Sequence, residues 1–157
     1  NLIAVRGLSV NEIVQDHWRE FGRNAFNRED FFIPDAQLGS RLMGNLETSA
    51  AGLRDRTVGG LKNTEADVFA YHDPVDGSVS ARQGVRVFFD DGSRIVYRLS
   101  GTGTSGATLR IYLERRVTDP GSLCRPAVEL NAPLSAIARE LSGIRELTGI
   151  EQPAAVV

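Results

Sequence analysis

Three glycines placed between two stretches of alternating residues constrain this chain more than any other feature. Residues 101–106 have the spacing G-x-G-x-x-G, which in dinucleotide-binding proteins joins a strand to a helix whose positive end faces the pyrophosphate. From residue 107 to residue 114, however, apolar and polar side chains alternate, and this two-residue period is typical of a half-buried strand. Residues 94–99 alternate in the same way. The glycines therefore join two antiparallel strands, and the dinucleotide interpretation is rejected.

The residues in and around this loop are suited to binding a phosphate. Glycine allows the backbone N–H groups of a loop to converge on an anion, and guanidinium groups make paired hydrogen bonds to phosphate oxygens. Arg98 and Arg110 stand at the two ends of the loop, and residues 94–116 hold five arginines but a single acid, Glu114, in a chain of net charge −2. Hydroxyl side chains lie between the two arginines at Ser100, Thr102, Thr104 and Ser105. A flexible connector with ordinary turn chemistry is the alternative interpretation.

Hydrophobic periodicity along the rest of the chain predicts one sheet with packed helices. The predicted strands are residues 24–32, 68–72, 84–89, 95–99 and 108–114, and the predicted helices are residues 35–49 and 133–147. A hairpin turn is expected at residues 90–93, and an exposed loop at residues 52–65. Ser9 and Glu12 form a capping box for a further short helix through Trp18. We therefore expect an α+β fold of two layers, with a mainly antiparallel sheet and helices packed on one face.

Several motifs in register resemble the C-terminal, fourth domain of α-D-glucose phosphoglucomutase, in the phosphohexomutase superfamily. The main ones are YHDPVDGSVS at residues 71–80 and DGSRIVYRLSGTG at residues 91–103. DHWREFGRN at residues 16–24, NAPLSAIA at residues 131–138 and LTG at residues 147–149 extend the likeness over nearly the whole chain. The resemblance implies a fold like that of the TATA-binding protein. It also implies that residues 1–21 are an interdomain helix or linker from a preceding domain, and that residues 22–157 are the phosphate-binding domain.

The resemblance also implies which residues bind the phosphate of the substrate. By position, these residues are Arg98, Ser100, Gly101, Thr102, Gly103, Thr104 and Arg110. Arg28 falls where the family has an arginine, so it is a candidate residue of the ligand cleft. Around it, however, Glu29, Phe31 and Phe32 replace the tyrosines and the terminal acid of the family. A solvated surface position for Arg28 is the alternative.

Two motifs that the family uses for chemistry do not occur in these 157 residues. The phosphoserine of the family lies in a Thr-Ala-Ser-His-Asn type motif, and its magnesium ion is bound by an Asp-Gly-Asp-Gly-Asp type motif. We therefore expect no catalytic residue, no bound cofactor and no activity in this chain alone. For the intact enzyme, the resemblance implies magnesium, glucose 1,6-bisphosphate, and interconversion of glucose 1-phosphate and glucose 6-phosphate.

The expected partners are a hexose phosphate and the upstream domains of the same polypeptide. A non-catalytic phosphoglucomutase-like module that binds sugar phosphates or acts as a scaffold is the alternative function. The net charge of −2 and the scarcity of clustered aromatic residues argue against nucleic acid as a partner.

Composition argues against several other classes of site and location. Apolar runs are too short to cross a membrane. His17 and His72 are far apart and lack neighbouring ligands, so no metal site is expected in the chain. The single cysteine, Cys124, excludes an internal disulfide and fits a reducing compartment, so we expect a cytoplasmic protein.

Overall fold

The computed structural model describes residues 2–101 and 106–157. The helices are α1 Leu2–Arg6, α2 Val10–Phe21, α3 Ala36–Ala50, α4 Ala127–Ser142 and α5 Ile144–Thr148. The strands are β1 Arg23–Ile33, β2 Thr57–Val58, β3 Leu61–His72, β4 Val79–Phe89, β5 Arg94–Ser100, β6 Ala107–Val117 and β7 Ala155–Val156. These strands form one antiparallel sheet in the order β2-β3-β4-β5-β6-β1-β7.

Helices α3 and α4, with α5 beside them, cover one face of this sheet, which confirms the predicted two-layer α+β class. Alternate residues of β1, β5 and β6 point into the layer beneath α3 and α4, where Phe31, Tyr97 and Ile111 are fully buried. The residues between them point to the opposite face, which no helix covers in the described part of the chain. We call this second face the open face. Side chains on the open face do not belong to the hydrophobic core, so they are available to bind a ligand.

Tyr97 ties the sheet to α4 through one buried hydrogen bond. Its hydroxyl donates to the backbone carbonyl of Ala138 over 2.9 Å, and burial raises the pKa of Tyr97, so the hydroxyl stays protonated as a donor. We expect Tyr97→Phe to lower the free energy of unfolding by about 1 to 2 kcal/mol, because the carbonyl loses its buried donor. Urea unfolding measures this loss. Tyr71→Phe, at a tyrosine that is 52% exposed, is the control, and an equal effect of the two substitutions would contradict the role of the buried bond.

The last predicted helix, residues 133–147, is wrong in its extent. The structure has α4 from Ala127 to Ser142 with Pro133 inside it, then Gly143 with φ 60°, then the separate short helix α5. Proline is favoured in a first helical turn, which made Pro133 resemble a start. A residue in the left-handed conformation ends a helix, so Gly143 separates α4 from α5, although the apolar periodicity predicted one continuous helix.

The predicted exposed loop at residues 52–65 is wrong in part, although most of these residues are exposed. Strand β2 and the first residues of β3 lie there, and Leu53 is 6% and Asn63 is 1% exposed. The side-chain amide of Asn63 donates to the carbonyls of Glu65 and Phe88 over 3.0 and 2.9 Å. A buried polar side chain such as Asn63 does not add to an alternation of apolar residues. The sequence pattern therefore did not indicate the first part of β3.

Helix α2 begins with the predicted capping box. The Ser9 hydroxyl accepts from the backbone N–H of Glu12, and the Glu12 carboxylate accepts from that of Ser9. None of the residues of α2 is fully buried. Trp18 is half-buried against a small cluster of Ala25, Val117, Leu123 and Leu130. The division into a linker of residues 1–21 and a domain of residues 22–157 stays a prediction.

Candidate functional site

The open face brings the predicted arginines together. Arg98 of β5 lies directly opposite Arg110 of β6, and Arg110 lies opposite Asp30 of β1. Arg28 of β1 is on the same face, opposite Tyr112. The alternation that buries Tyr97, Leu109 and Glu29 places all three arginines away from the helices. Two of the three, Arg98 and Arg110, are therefore direct cross-strand neighbours near the glycine-rich loop.

This pairing of like charges is unfavourable for folding alone. Like charges directly opposite each other on neighbouring strands destabilise a sheet. Neither Arg98 nor Arg110 forms an ion pair within the described residues. The Nε atom of Arg110 is buried and has no hydrogen-bond partner in the same part of the chain. An anion bound between the two guanidinium groups would relieve the repulsion and supply acceptors.

Arg98 is held by a residue that the sequence pattern did not indicate. Its Nε donates to the backbone carbonyl of Gln83 over 3.2 Å, and its Nη2 donates to the side-chain Oε1 of Gln83 over 3.0 Å. The only sequence signal nearby is Gly84, because a glycine inside a strand often marks a bulge or a close backbone approach.

Arg28 is engaged by a neighbour on its own strand. Its Nε and Nη2 donate to the two carboxylate oxygens of Asp30 over 2.8 and 3.0 Å, and this bond is the main cause of a raised pKa of Arg28. The side chains of Arg28 and Asp30 are 30% and 17% exposed. Arg28 is thus placed beside the candidate site but half-buried and already paired, and its role in a cleft stays a prediction.

The loop itself is described only at its ends. Ser100 is half-buried and Gly101 is exposed, whereas the predicted residues Thr102, Gly103 and Thr104 lie outside the described residues. Gly106 has φ 93°, and a Cβ atom there would lie 2.7 Å from the carbonyl oxygen of Ile33. Only glycine fits such a position without displacing β1, so this residue fixes where the loop returns to the sheet.

A groove of about 300 Å³ runs along the open face from Arg98. It is lined by Phe26, Phe69, Arg86, Arg94, Val96, Arg98, Tyr112 and Glu114. Arg86 is paired with Asp67, and Arg94 with Glu114. The positive charge of these two arginines is therefore already balanced, which leaves the Arg98–Arg110 pair as the part of this face best suited to an anion.

Other candidate chemistry is sparse in the described ranges 2–101 and 106–157. No three His, Cys, Asp or Glu side chains in them are grouped so as to hold a metal ion. Cys124 is free and exposed. No helix in these ranges is long and apolar enough to cross a bilayer.

The fold and the facing arginines define a candidate anion-binding domain of the two-layer α+β class. The family model described as Phosphoglucomutase-1, C-terminal domain, matches residues 23–154. The chain therefore belongs to the phosphoglucomutase family and corresponds to its C-terminal domain.

Individual relatives agree with this assignment. The chain is 44% identical to a phosphoglucomutase of Rhizobium radiobacter over 156 residues and 41% identical to phosphoglucomutase-1 of Oryctolagus cuniculus over 165 residues. Each comparison covers 99% of this chain but 29% of the relative. The structure superposes on the open form of the Paramecium exocytosis-sensitive phosphoprotein parafusin, a phosphoglucomutase, with a TM-score of 0.81 and 38% identity. That match covers 95% of this chain and 25% of the parafusin chain.

Proposed function

We propose that this chain is the substrate-phosphate-binding domain of a phosphoglucomutase that interconverts glucose 1-phosphate and glucose 6-phosphate through glucose 1,6-bisphosphate. The observation that carries the proposal is the cross-strand pair of Arg98 on β5 and Arg110 on β6, neither of which forms an ion pair with an acid among the described residues. Membership of the phosphoglucomutase family supports it.

In this proposal the two guanidinium groups bind the phosphate that does not react. Each can offer paired N–H donors to phosphate oxygens, and the Ser100 hydroxyl and the backbone around Gly101 lie at the same end of β5. Both substrates carry one phosphate, so the same pair serves either of them and presents the other end of the sugar for reaction. The contribution of the domain is orientation, together with exclusion of water when the intact enzyme closes over its substrate.

The phosphoryl transfer itself is assigned to parts of the enzyme outside these residues. The chain spans 29% of the length of the relatives it matches, and the upstream domains of the same polypeptide are its proposed partners. Magnesium would assist the transfer there. The described residues offer no cluster that fits this ion. A cytoplasmic location is proposed because relatives from Populus tremula and Zea mays are named cytoplasmic phosphoglucomutases.

Titration of amide chemical shifts with glucose 6-phosphate and with inorganic phosphate tests the proposal. We expect weak binding by both, centred on residues 98–101 and 106–110, because the intact site would share its ligand among several domains. Arg110→Ala is expected to raise the dissociation constant about tenfold or more, since a charged donor to the phosphate is lost.

Arg145→Ala is the matched control. It removes the same charge from α5, where Arg145 is paired with Glu151 and its side chain is 71% exposed. Its dissociation constant should equal that of the wild type. Shifts centred on α5, or equal losses in the two variants, would overturn the assignment of the phosphate site.

A further inference from the structure

The hairpin of β3 and β4 contains an irregularity next to the candidate phosphate site. The two strands pair Phe69 with Gly84 and then Tyr71 with Ser80, so a step of two residues on β3 is matched by a step of four on β4. The backbone there takes conformations that strands avoid, with φ 52° at Arg82 and φ 154° at Gly84. Residues 81–83 therefore form a bulge that leaves the regular ladder.

This bulge lies against β5. The pairing of β4 with β5 ends at Val85 and Tyr97, and a Cβ atom on Gly84 would lie 2.2 Å from the carbonyl oxygen of Tyr97. Such a close approach is possible only for glycine. Because of this close approach, Gln83 lies beside Arg98, just beyond the last paired residues of β4 and β5. There its backbone carbonyl and its side-chain carbonyl both accept hydrogen bonds.

We infer that Gln83 is a positioning residue of the phosphate site, which it serves by fixing the guanidinium group of Arg98. This inference rests on the proposed function. Gln83 accepts from Nε through its backbone oxygen and from Nη2 through its side-chain Oε1, over 3.2 and 3.0 Å. A guanidinium group has five N–H donors. Gln83 occupies the Nε–Nη2 edge, so both donors of Nη1 and one donor of Nη2 are left for a phosphate.

A restraint on Arg98 would lower the entropic cost of binding a phosphate. An exposed arginine loses considerable rotamer freedom when it is immobilised on a ligand, and Arg98 is exposed. Repulsion from Arg110 on β6 favours rotamers that direct the Arg98 guanidinium towards β4, on the other side of β5, and Gln83 of β4 accepts hydrogen bonds from it there. A neutral acceptor such as Gln83 restrains Arg98 before the ligand binds and does not cancel its charge, whereas a carboxylate at this position would cancel it.

A double-mutant cycle with inorganic phosphate as the ligand tests the inference. We expect Gln83→Leu to raise the dissociation constant about three- to tenfold, which corresponds to one exposed charge-assisted contact. In the Arg98→Ala background, Gln83→Leu should have no further effect, because the group that it positions is gone. Gln37→Leu, at an exposed position on α3, is the matched control and should bind phosphate like the wild type.

A ligand-free measurement makes the test independent of the proposed function. Hydrogen exchange at Nε of Arg98 should be slower in the wild type than in Gln83→Leu. Gln83→Glu, which keeps a side-chain acceptor, should restore the slow exchange but not the phosphate affinity.

The outcomes separate the two ideas. Absence of phosphate binding in the wild type would overturn the proposed function. Normal binding that Arg98→Ala weakens, combined with unchanged affinity in Gln83→Leu, would overturn the positioning role alone. An additive cycle or equal exchange rates would also overturn that role.

Discussion

Replacing Arg139 with methionine is expected to lower the free energy of unfolding by about 3 to 5 kcal/mol, which is the usual cost of leaving a buried charge without its partner. Glu29 of β1 is 4% exposed. Its carboxylate accepts from the Ser135 hydroxyl over 2.7 Å and from Nε and Nη2 of Arg139 over 3.1 Å each. Methionine keeps an apolar side chain but removes both charged donors, together with the guanidinium group that lies over the Phe31 ring, 5.7 Å from its centroid. Urea unfolding monitored by circular dichroism measures the loss.

Two controls separate the lost ion pair from lost packing. The double variant Glu29→Gln with Arg139→Met removes both charges and should recover most of the stability, because no buried charge is then left unpaired. Arg145→Met breaks the exposed ion pair with Glu151 and should cost less than about 1 kcal/mol. A similarly small cost for Arg139→Met would show that water solvates the Glu29 carboxylate and that the pair adds little to the fold.

The sequence was sufficient to predict the layers of the fold and the strands that carry the two arginines. Alternation assigned residues 95–99 and 108–114 to strands, and a residue's place in the alternation decides which face it occupies. Arg98 and Arg110 both fall at polar positions of this alternation, at the two ends of the glycine-rich loop. Their direct opposition depends on the register of β5 and β6, which the pattern does not specify, so it became visible only in the structure.

The features that were missed depend on contacts between distant residues. Glu29 was read as a departure from the family pattern beside Arg28, and nothing near it in sequence indicated that it is buried against Arg139, 110 positions away. Gln83 was missed because its role follows from the bulge in β4, and a bulge changes which side chains face a neighbouring strand without changing composition. Hydrophobic periodicity indicates where apolar side chains are buried, and the side chains of Glu29 and Gln83 are both polar.

Gly84→Ala should show that the bulge links the stability of the sheet to the phosphate site. The new Cβ atom would lie 2.2 Å from the carbonyl oxygen of Tyr97 and 3.0 Å from Cγ of Arg98, in a backbone conformation, φ 154°, that residues other than glycine rarely adopt. Backbone strain and steric overlap each cost about 1 to 3 kcal/mol, so we expect unfolding to become easier by about 3 kcal/mol or more. Urea unfolding gives the stability, and phosphate titration of the folded fraction gives the affinity.

Gly44→Ala is the matched control, since a Cβ atom at this position in α3 meets nothing within 4 Å. The same chemical change should there stabilise the domain by about 0.5 to 1 kcal/mol, because alanine favours a helix interior over glycine. The folded Gly84→Ala protein should bind phosphate more weakly, because relief of the overlap must move the bulge away from Tyr97 and take Gln83 with it. Wild-type stability in Gly84→Ala would contradict the close approach of β4 to β5. Lower stability with unchanged phosphate affinity would show that the bulge supports the sheet but does not position Arg98.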